Sequence, residues 1–313
     1  MKFALIIVLA VLSLLLLIEM GLRFLGFGKP LIYIADDQIG YLIAPNQQVQ
    51  RFGKRIEINQ YSMRGANILP QRSPSTLRLF LLGDSVANGG WWTDQSETIS
   101  ELLRQKLQAQ LLATPPQTVE VLNASANSWG PRNELAYLQK FGTFESQILV
   151  LLINTDDLFA TAPTSVQVGR DRNYPDHQPP FALAEVVERY LLKPAPIPEL
   201  EAVHAEGGDR VGVNLDAISK ISALVNQNNG RLVLVMTPLL RELGPSGSRD
   251  YELKARQRLK DFTNSYSIPY LDCLPIFNQV GDFKSLYRDH IHLNPKGNQQ
   301  VSQSLVEVLR SLL

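Results

Sequence analysis

Ser85, Asp289 and His292 are the residues whose types and order point to chemistry. A serine hydroxyl is a weak nucleophile until a histidine takes its proton. A carboxylate on the other ring nitrogen then holds that histidine in the right tautomer. Gly83, Asp84 and Ser85 close the apolar run Leu77-Arg-Leu-Phe-Leu-Leu82, and Asp289-His-Ile-His292 stands just before Leu293-Asn-Pro-Lys-Gly297. An isolated serine at a strand end is usually a helix cap. The late Asp-x-x-His pair decides for a nucleophile, and the chemistry is acyl transfer. His290 and His292 lie two apart, but no third ligand accompanies them, so neither a metal nor another cofactor is expected.

These residues need elements that bring distant segments together. Leu77 to Leu82 reads as a strand apolar on both faces, as in a covered parallel sheet. Thr98-x-x-Glu101 marks a helix start, with Ile99, Leu103 and Leu107 along one face. Strands follow at Val119–Leu122, Ile148–Ile153, Arg231–Met236 and Pro269–Leu271. Helices are expected from Pro131, along the stripe Leu215, Ile218, Ile221, Leu224 and Val225, over Asp250–Tyr266, and from Pro295 to Leu313 with Asn294 as cap. This alternation predicts an α/β fold: three α/β/α layers around a five-stranded parallel sheet. Ligands of such sheets bind outside the carboxyl ends of the strands, where Ser85 and the polar blocks at Asn123 and Asn154 fall.

The order of Gly-Asp-Ser and Asp-x-x-His, with matching blocks between, resembles the SGNH hydrolases, or GDSL lipase/esterase family, over residues 77–313. The resemblance implies a flavodoxin-like sheet and the roles of nucleophile for Ser85, base for His292 and orienter for Asp289. It also implies an oxyanion hole built from the Ser85 N–H, a glycine N–H in the second block and an asparagine amide in the third. In Asn123-Ala-Ser-Ala-Asn-Ser-Trp-Gly130 the glycine position falls on Ser128, whose N–H can serve equally. In Asn154-Thr-Asp-Asp157 the asparagine position falls on Asp156, and an ionised aspartate cannot donate. Three readings follow: Asn154 donates from a shifted position, Asp156 is held protonated, or the site is weakened.

Trp91 and Trp92 follow the nucleophile and offer a stacking platform for a sugar or a wall for an acyl chain. His177 and His204 read as surface residues, and Cys273, the only cysteine, as a small buried hydrophobe. Thirty basic residues balance thirty acidic ones, which leaves no electrostatic footprint for nucleic acid.

The apolar run from Phe3 to Ile18 continues through Met20, Leu22, Phe24, Leu25 and Phe27, with Glu19 and Arg23 spaced to pair on a helix. About 20 apolar residues span a bilayer. With no Ala-x-Ala-like cleavage site, residues 1–28 read as an uncleaved transmembrane anchor, the rest lying outside the cytoplasm. Residues 29–76 read as an extended linker or small β arm, and Asn59-Gln-Tyr-Ser-Met-Arg-Gly65 resembles a stretch found before the nucleophile strand in membrane-anchored family members. Residues 77–313 form the hydrolase domain, with a proline-rich insertion at about 159–209 that is either a lid or flexible.

The reading is thus a membrane-anchored serine esterase acting through an acyl-enzyme on a carbohydrate O-acyl group or a lipid ester. The alternatives are a weakened module that binds a glycan or a partner protein, and an acyltransferase using the same triad. Nothing in the sequence specifies an oligomeric state.

Overall fold

The computed structural model describes residues 2–111 and 118–313. Helix α1 (Lys2–Phe24) is apolar along nearly all of its length from Phe3 to Ile18, Glu19 and Arg23 pair in its last turns, and none of its residues is buried against the rest of the chain. It is long and apolar enough to cross a membrane. Two antiparallel hairpins follow, β1 (Tyr33–Asp36) with β2 (Gly40–Ile43), and β3 (Gln47–Arg51) with β4 (Lys54–Ile58).

The main sheet contains β5 (Thr76–Gly83), β6 (Thr118–Ser125), β7 (Ile148–Asn154), β8 (Arg231–Thr237) and β9 (Tyr270–Asp272). Its order is β6-β5-β7-β8-β9, and every pairing is parallel. The short helix α2 (Ser85–Asn88) follows β5, α3 (Ile99–Leu111) precedes β6, and α4 (Pro131–Phe141) precedes β7. The insertion carries α5 (Ala182–Val186), which continues as a π turn to Leu191, and α6 (Pro198–His204). The chain then forms α7 (Arg210–Gln227), α8 (Asp250–Ser265), α9 (Cys273–Asn278) and α10 (Pro295–Arg310).

Strand β5 shows why its sequence is apolar almost throughout. Leu77, Leu79 and Leu81 pack with Leu103 of α3 and Leu305 and Leu309 of α10, whereas Phe80 and Leu82 pack with Tyr137 of α4 and Ile218 and Ile221 of α7. Alternate side chains thus enter opposite layers, and both faces need hydrocarbon. Arg78 is the exception. It is buried, yet its guanidinium reaches Glu120 and the carbonyls of Pro70 and Phe144 at the end of the strand where the chain enters.

The structure refines the sequence reading in three places. Strand β6 runs on to Ser125, because its polar end is satisfied internally: Asn123 Nδ2 donates to the Ala87 carbonyl and Ser125 Oγ to Asn123 Oδ1. Cys273 is buried as expected and opens α9, since the Asp272 carboxylate accepts from the Leu274 N–H as a cap. Residues 29–76 carry the two hairpins and pack into the domain. Ile39, Tyr41, Ile56 and Met63 enter the same core as α4 and α7, and Trp129 Nε1 and Asn133 Nδ2 donate to the carbonyls of Tyr41 and Ile39. The apolar side of an alternating strand needs a surface to cover it, and α4 supplies one.

Gly83 ends β5 where no side chain fits: an added Cβ would lie 2.4 Å from the Leu152 carbonyl oxygen and 2.9 Å from the Ala87 Cβ. Gly83→Ala is expected to lower unfolding stability by at least about 1–3 kcal/mol, the usual cost of overpacking. Urea denaturation checks this, and a wild-type midpoint would contradict the close approach.

Candidate active site

The end of β5, the turn into α2 and the loop before α10 meet at one rim of the sheet. The Asp84 carboxylate accepts from the Val86 N–H at 2.8 Å and so holds α2, which presents Ser85. On the other side, Asn294 accepts from the N–H groups of Lys296 and Gly297 while its amide donates to the carbonyls of Ser285 and Tyr287. That double use closes the loop carrying Asp289 and His292. The structure brings the three sequence-predicted residues together: His292 Nε2 lies 2.9 Å from Ser85 Oγ, and His292 Nδ1 lies 2.8 Å from Asp289 Oδ2.

Burial pushes the Asp289 carboxyl up, but donation from the His292 and Ile291 N–H groups and from the His292 ring outweighs it, leaving the group below the ordinary carboxylate range. The residue beside His292 is thus an ionised acceptor, which favours the tautomer with a proton on Nδ1 and a free Nε2 facing the serine. His290 is exposed and lies 4.0 Å from Asp289. His177 and His204 are also exposed. Among the described residues no group of three or more His, Cys, Asp or Glu is arranged to hold a metal ion.

Ser128 has φ +57°, the left-handed conformation that glycine adopts without strain. Two tyrosines hold this turn: Tyr41 OH donates to the Asn127 carbonyl and Tyr174 OH to Ser128 Oγ. The third expected oxyanion donor is placed differently. Asn154 Nδ2 donates to Asp84 Oδ2 at 2.8 Å and to Asp157 Oδ2 at 2.9 Å, and its Oδ1 accepts from the Asp156 N–H. Both amide hydrogens are therefore engaged below the site, and the expectation of an oxyanion donor at Asn154 is corrected. The Asp156 carboxyl is shifted up, by desolvation foremost and by Glu252 and Glu242, against the pull of Arg241 and His290. Neither residue lines the cavity next to Ser85.

That cavity, of about 310 Å³, runs from Ser85 and His292 past Trp91 and Trp92 to Tyr33, Arg51, Tyr174 and Lys29. The Trp92 ring lies 4.5 Å from the His292 ring, and the Arg288 guanidinium stacks 4.3 Å from Trp92 and 4.8 Å from Trp91. Arg64 fixes the tryptophan loop from behind. Its buried guanidinium donates to the carbonyls of Asn88, Gly90 and Thr93 and to Gln95 Oε1, and burial pulls its pKa down to about 10. Sequence reasoning flagged the stretch around Arg64 only as an arm. An arginine followed by glycine ahead of the nucleophile strand is the available signal.

A family model described as the GDSL-like lipase/acylhydrolase family matches residues 81–300, which hold Ser85, Asp289 and His292. The chain belongs to that family. This GDSL hydrolase is accordingly an ester-hydrolysing serine hydrolase, and its sheet is the family's α/β/α arrangement. Among solved structures it is similar to a lipase/acylhydrolase from Enterococcus faecalis, at 14% identity and TM-score 0.45, covering 75% of this chain and 96% of that one. It is also similar to an acetyl xylan esterase, at 10% identity and TM-score 0.49, covering 74% of this chain and 99% of that one. No curated protein matches the sequence.

Beneath the site lie three buried carboxyls, Asp84, Asp157 and Glu134. Burial pushes Glu134 well up, with Asp84 adding to the shift, and neither Glu134 oxygen has a hydrogen-bond partner. Burial likewise raises Asp157, reinforced by Asp84 and Glu134. Three adjacent buried groups cannot all ionise. The native chain keeps the Glu134 proton, while the unfolded chain loses it above the ordinary value of 4.5. Stability linked to this group is therefore full below that pH and falls as pH rises towards the native value. Glu134→Gln removes this dependence. Its stability relative to wild type should rise between pH 4 and pH 8 in urea titrations, and a pH-independent difference would mean that Glu134 is ionised in the native state.

Proposed function

We propose that this hydrolase cleaves its ester through an acyl-enzyme, with Ser85 attacking the carbonyl carbon and His292 Nε2 taking the serine proton. Asp289 stabilises the resulting imidazolium. The carbonyl oxygen, as it becomes an oxyanion, receives the backbone N–H groups of Ser85 and Ser128. His292 then gives its proton to the leaving alkoxide, and the same residue activates water to release the acid. The observation that carries this reading is the continuous 2.9 Å and 2.8 Å contact from Ser85 through His292 to Asp289. A catalytically weakened binding module would have no need to keep it.

The left-handed turn at Ser128 supports the two-donor oxyanion hole, since it orients an N–H in a way ordinary strand geometry does not. The substrate is an ester of a cell-envelope molecule, either an O-acyl group on a carbohydrate or a lipid ester. The aromatic lining by Trp91, Trp92, Tyr33 and Tyr174 supports both, because such rings stack on a sugar face or line an acyl channel. The lining also contains Lys29, Arg51 and Arg189 and no carboxylate; Arg51 and Arg189 pair with Glu185 behind it, so Lys29 is the cation that favours a substrate with a negative group beyond the ester.

Helix α1 serves as a retained anchor, with the catalytic domain outside the cytoplasm. Its end is built into the domain: the Phe52 N–H donates to the Leu25 carbonyl, Arg51 to the Gly26 carbonyl, and the Gly28 N–H to Glu185. Within the helix, Glu19 accepts from the N–H groups of Ala182 and Leu183, which supports its retention.

Two measurements test the mechanism. A fluorophosphonate probe should modify Ser85 in the folded protein and leave Ser85→Ala untouched, and failure to label wild type while a control esterase reacts rejects the nucleophile. Asp289→Asn keeps the shape but offers His292 the wrong partner, so kcat on a short-chain ester should fall about 10⁴-fold. A loss under tenfold would remove Asp289 from the mechanism.

A further inference from the structure

The insertion holds an apolar collar that neither the catalytic chemistry nor the core uses. Phe181, Tyr190, Leu191 and Leu192 are all exposed, at 59, 57, 73 and 58%, within one short segment. Singly exposed apolar residues are ordinary, but four together mark an interaction surface.

The contacts of this segment say what covers it. Glu19, five residues before the end of α1, accepts from the N–H groups of Ala182 and Leu183. At 1.5 Å per residue, the start of α5 therefore lies roughly 7–8 Å back along α1 from Phe24, towards the apolar body of the helix. Its far end returns to the level where α1 stops, with the Tyr190 ring 6.3 Å from Phe27. Glu185 sits between these points and clamps the segment, accepting from the Gly28 N–H and pairing with the buried Arg51 at 2.7 Å. The segment thus lies rigidly against the last turns of α1. Where α1 leaves a bilayer, Phe181 falls at or below headgroup level, and Tyr190, Leu191 and Leu192 surround the exit.

We propose that residues 181–192 form a second membrane contact, a collar lying in the bilayer interface at the base of the anchor. Its occupant is the lipid surface. The inference rests on reading α1 as an anchor, and it deepens the proposed function. Lys29, Pro30 and Leu31, which follow the anchor, and Arg189, inside the collar, all line the catalytic cavity. The collar therefore fixes the cavity mouth at headgroup height, where Lys29 meets anionic headgroups or a lipid-borne anionic substrate.

The test uses the full-length protein reconstituted in vesicles of zwitterionic and anionic phospholipid, with single-cysteine variants carrying an NBD fluorophore. Cys273 is fully buried and does not compete for the label. Phe181→Cys and Leu191→Cys report on the collar, and Leu12→Cys on the anchor. Leu313→Cys is the negative control, because Arg231 at the start of β8 donates to the Leu312 carbonyl, which puts the chain end at the sheet edge remote from the site. Lipids with a nitroxide in the upper acyl chain should quench most emission at Phe181 or Leu191 and none at Leu313. Collar labels as bright as Leu313 overturn the proposal, and quenching at Leu12 in the same experiment shows the anchor reading surviving that failure. A paired substitution, Leu191→Glu with Leu192→Glu, should leave turnover of a water-soluble ester unchanged and lower turnover of an ester embedded in the vesicles. Equal turnover of both by variant and wild type also counts against the collar. The labelling result does not depend on activity, so it stands whatever the substrate proves to be.

Discussion

The Asp84 carboxyl is buried at the end of β5, where it accepts from the Val86 N–H and from Asn154 Nδ2, and these two bonds join the helix that presents Ser85 to the end of the neighbouring strand β7. The arrangement is possible only because Gly83 leaves room for the Leu152 carbonyl, so the two strand ends converge without an intervening side chain. Two further carboxyls, Asp157 and Glu134, share the same pocket, and the proton they retain keeps that charge density tolerable. The nucleophile therefore sits on a rigid polar knot, and the stability of that knot depends on pH.

The knot also explains what the sequence showed and what it hid. Ser85, Asp289 and His292 were legible because each belongs to a short motif whose spacing has a chemical reason, and their meeting required only a parallel sheet with both segments on one rim. The sheet was legible from apolar runs at Leu77–Leu82, Ile148–Ile153 and Arg231–Met236. Asn154 was misread because sequence gives residue type and approximate depth but not the direction of an amide. Asp84 and Asp157 compete for that amide, and their proximity comes from β5 pairing with β7, across some seventy residues of chain. Arg64 was hidden for the same reason. Three of its four acceptors are backbone carbonyls of the loop 88–93, which carry no side-chain signature.

Around the knot, cations and aromatic rings alternate. Arg288 stacks on Trp92 and Trp91, Trp91 lies near Arg51, and Arg51 stacks 4.2 Å from Phe27 at the end of the anchor region. A guanidinium between rings stays charged while giving up little hydration, so the wall is both apolar in area and positive in potential. Trp92 belongs to both systems, since it also rests against the His292 ring. A ligand that presses on the tryptophans thus bears directly on the orientation of the base.

Glu185 ties this wall to the base of α1 through Arg51 and the Gly28 N–H, which makes hairpin, insertion and helix α1 one mechanical unit. The pair is buried, so its strength comes from mutual satisfaction and not from exposed attraction, and removing either partner strands the other's charge. A flexible tether would let α1 swing relative to the cavity. Joined through a buried ion pair and backbone hydrogen bonds, the two keep a fixed relation. The proline-rich insertion lacks helical periodicity for a related reason. Its residues are placed by what they must touch, α1 on one side and the Ser128 turn on the other, and neither contact repeats along the sequence.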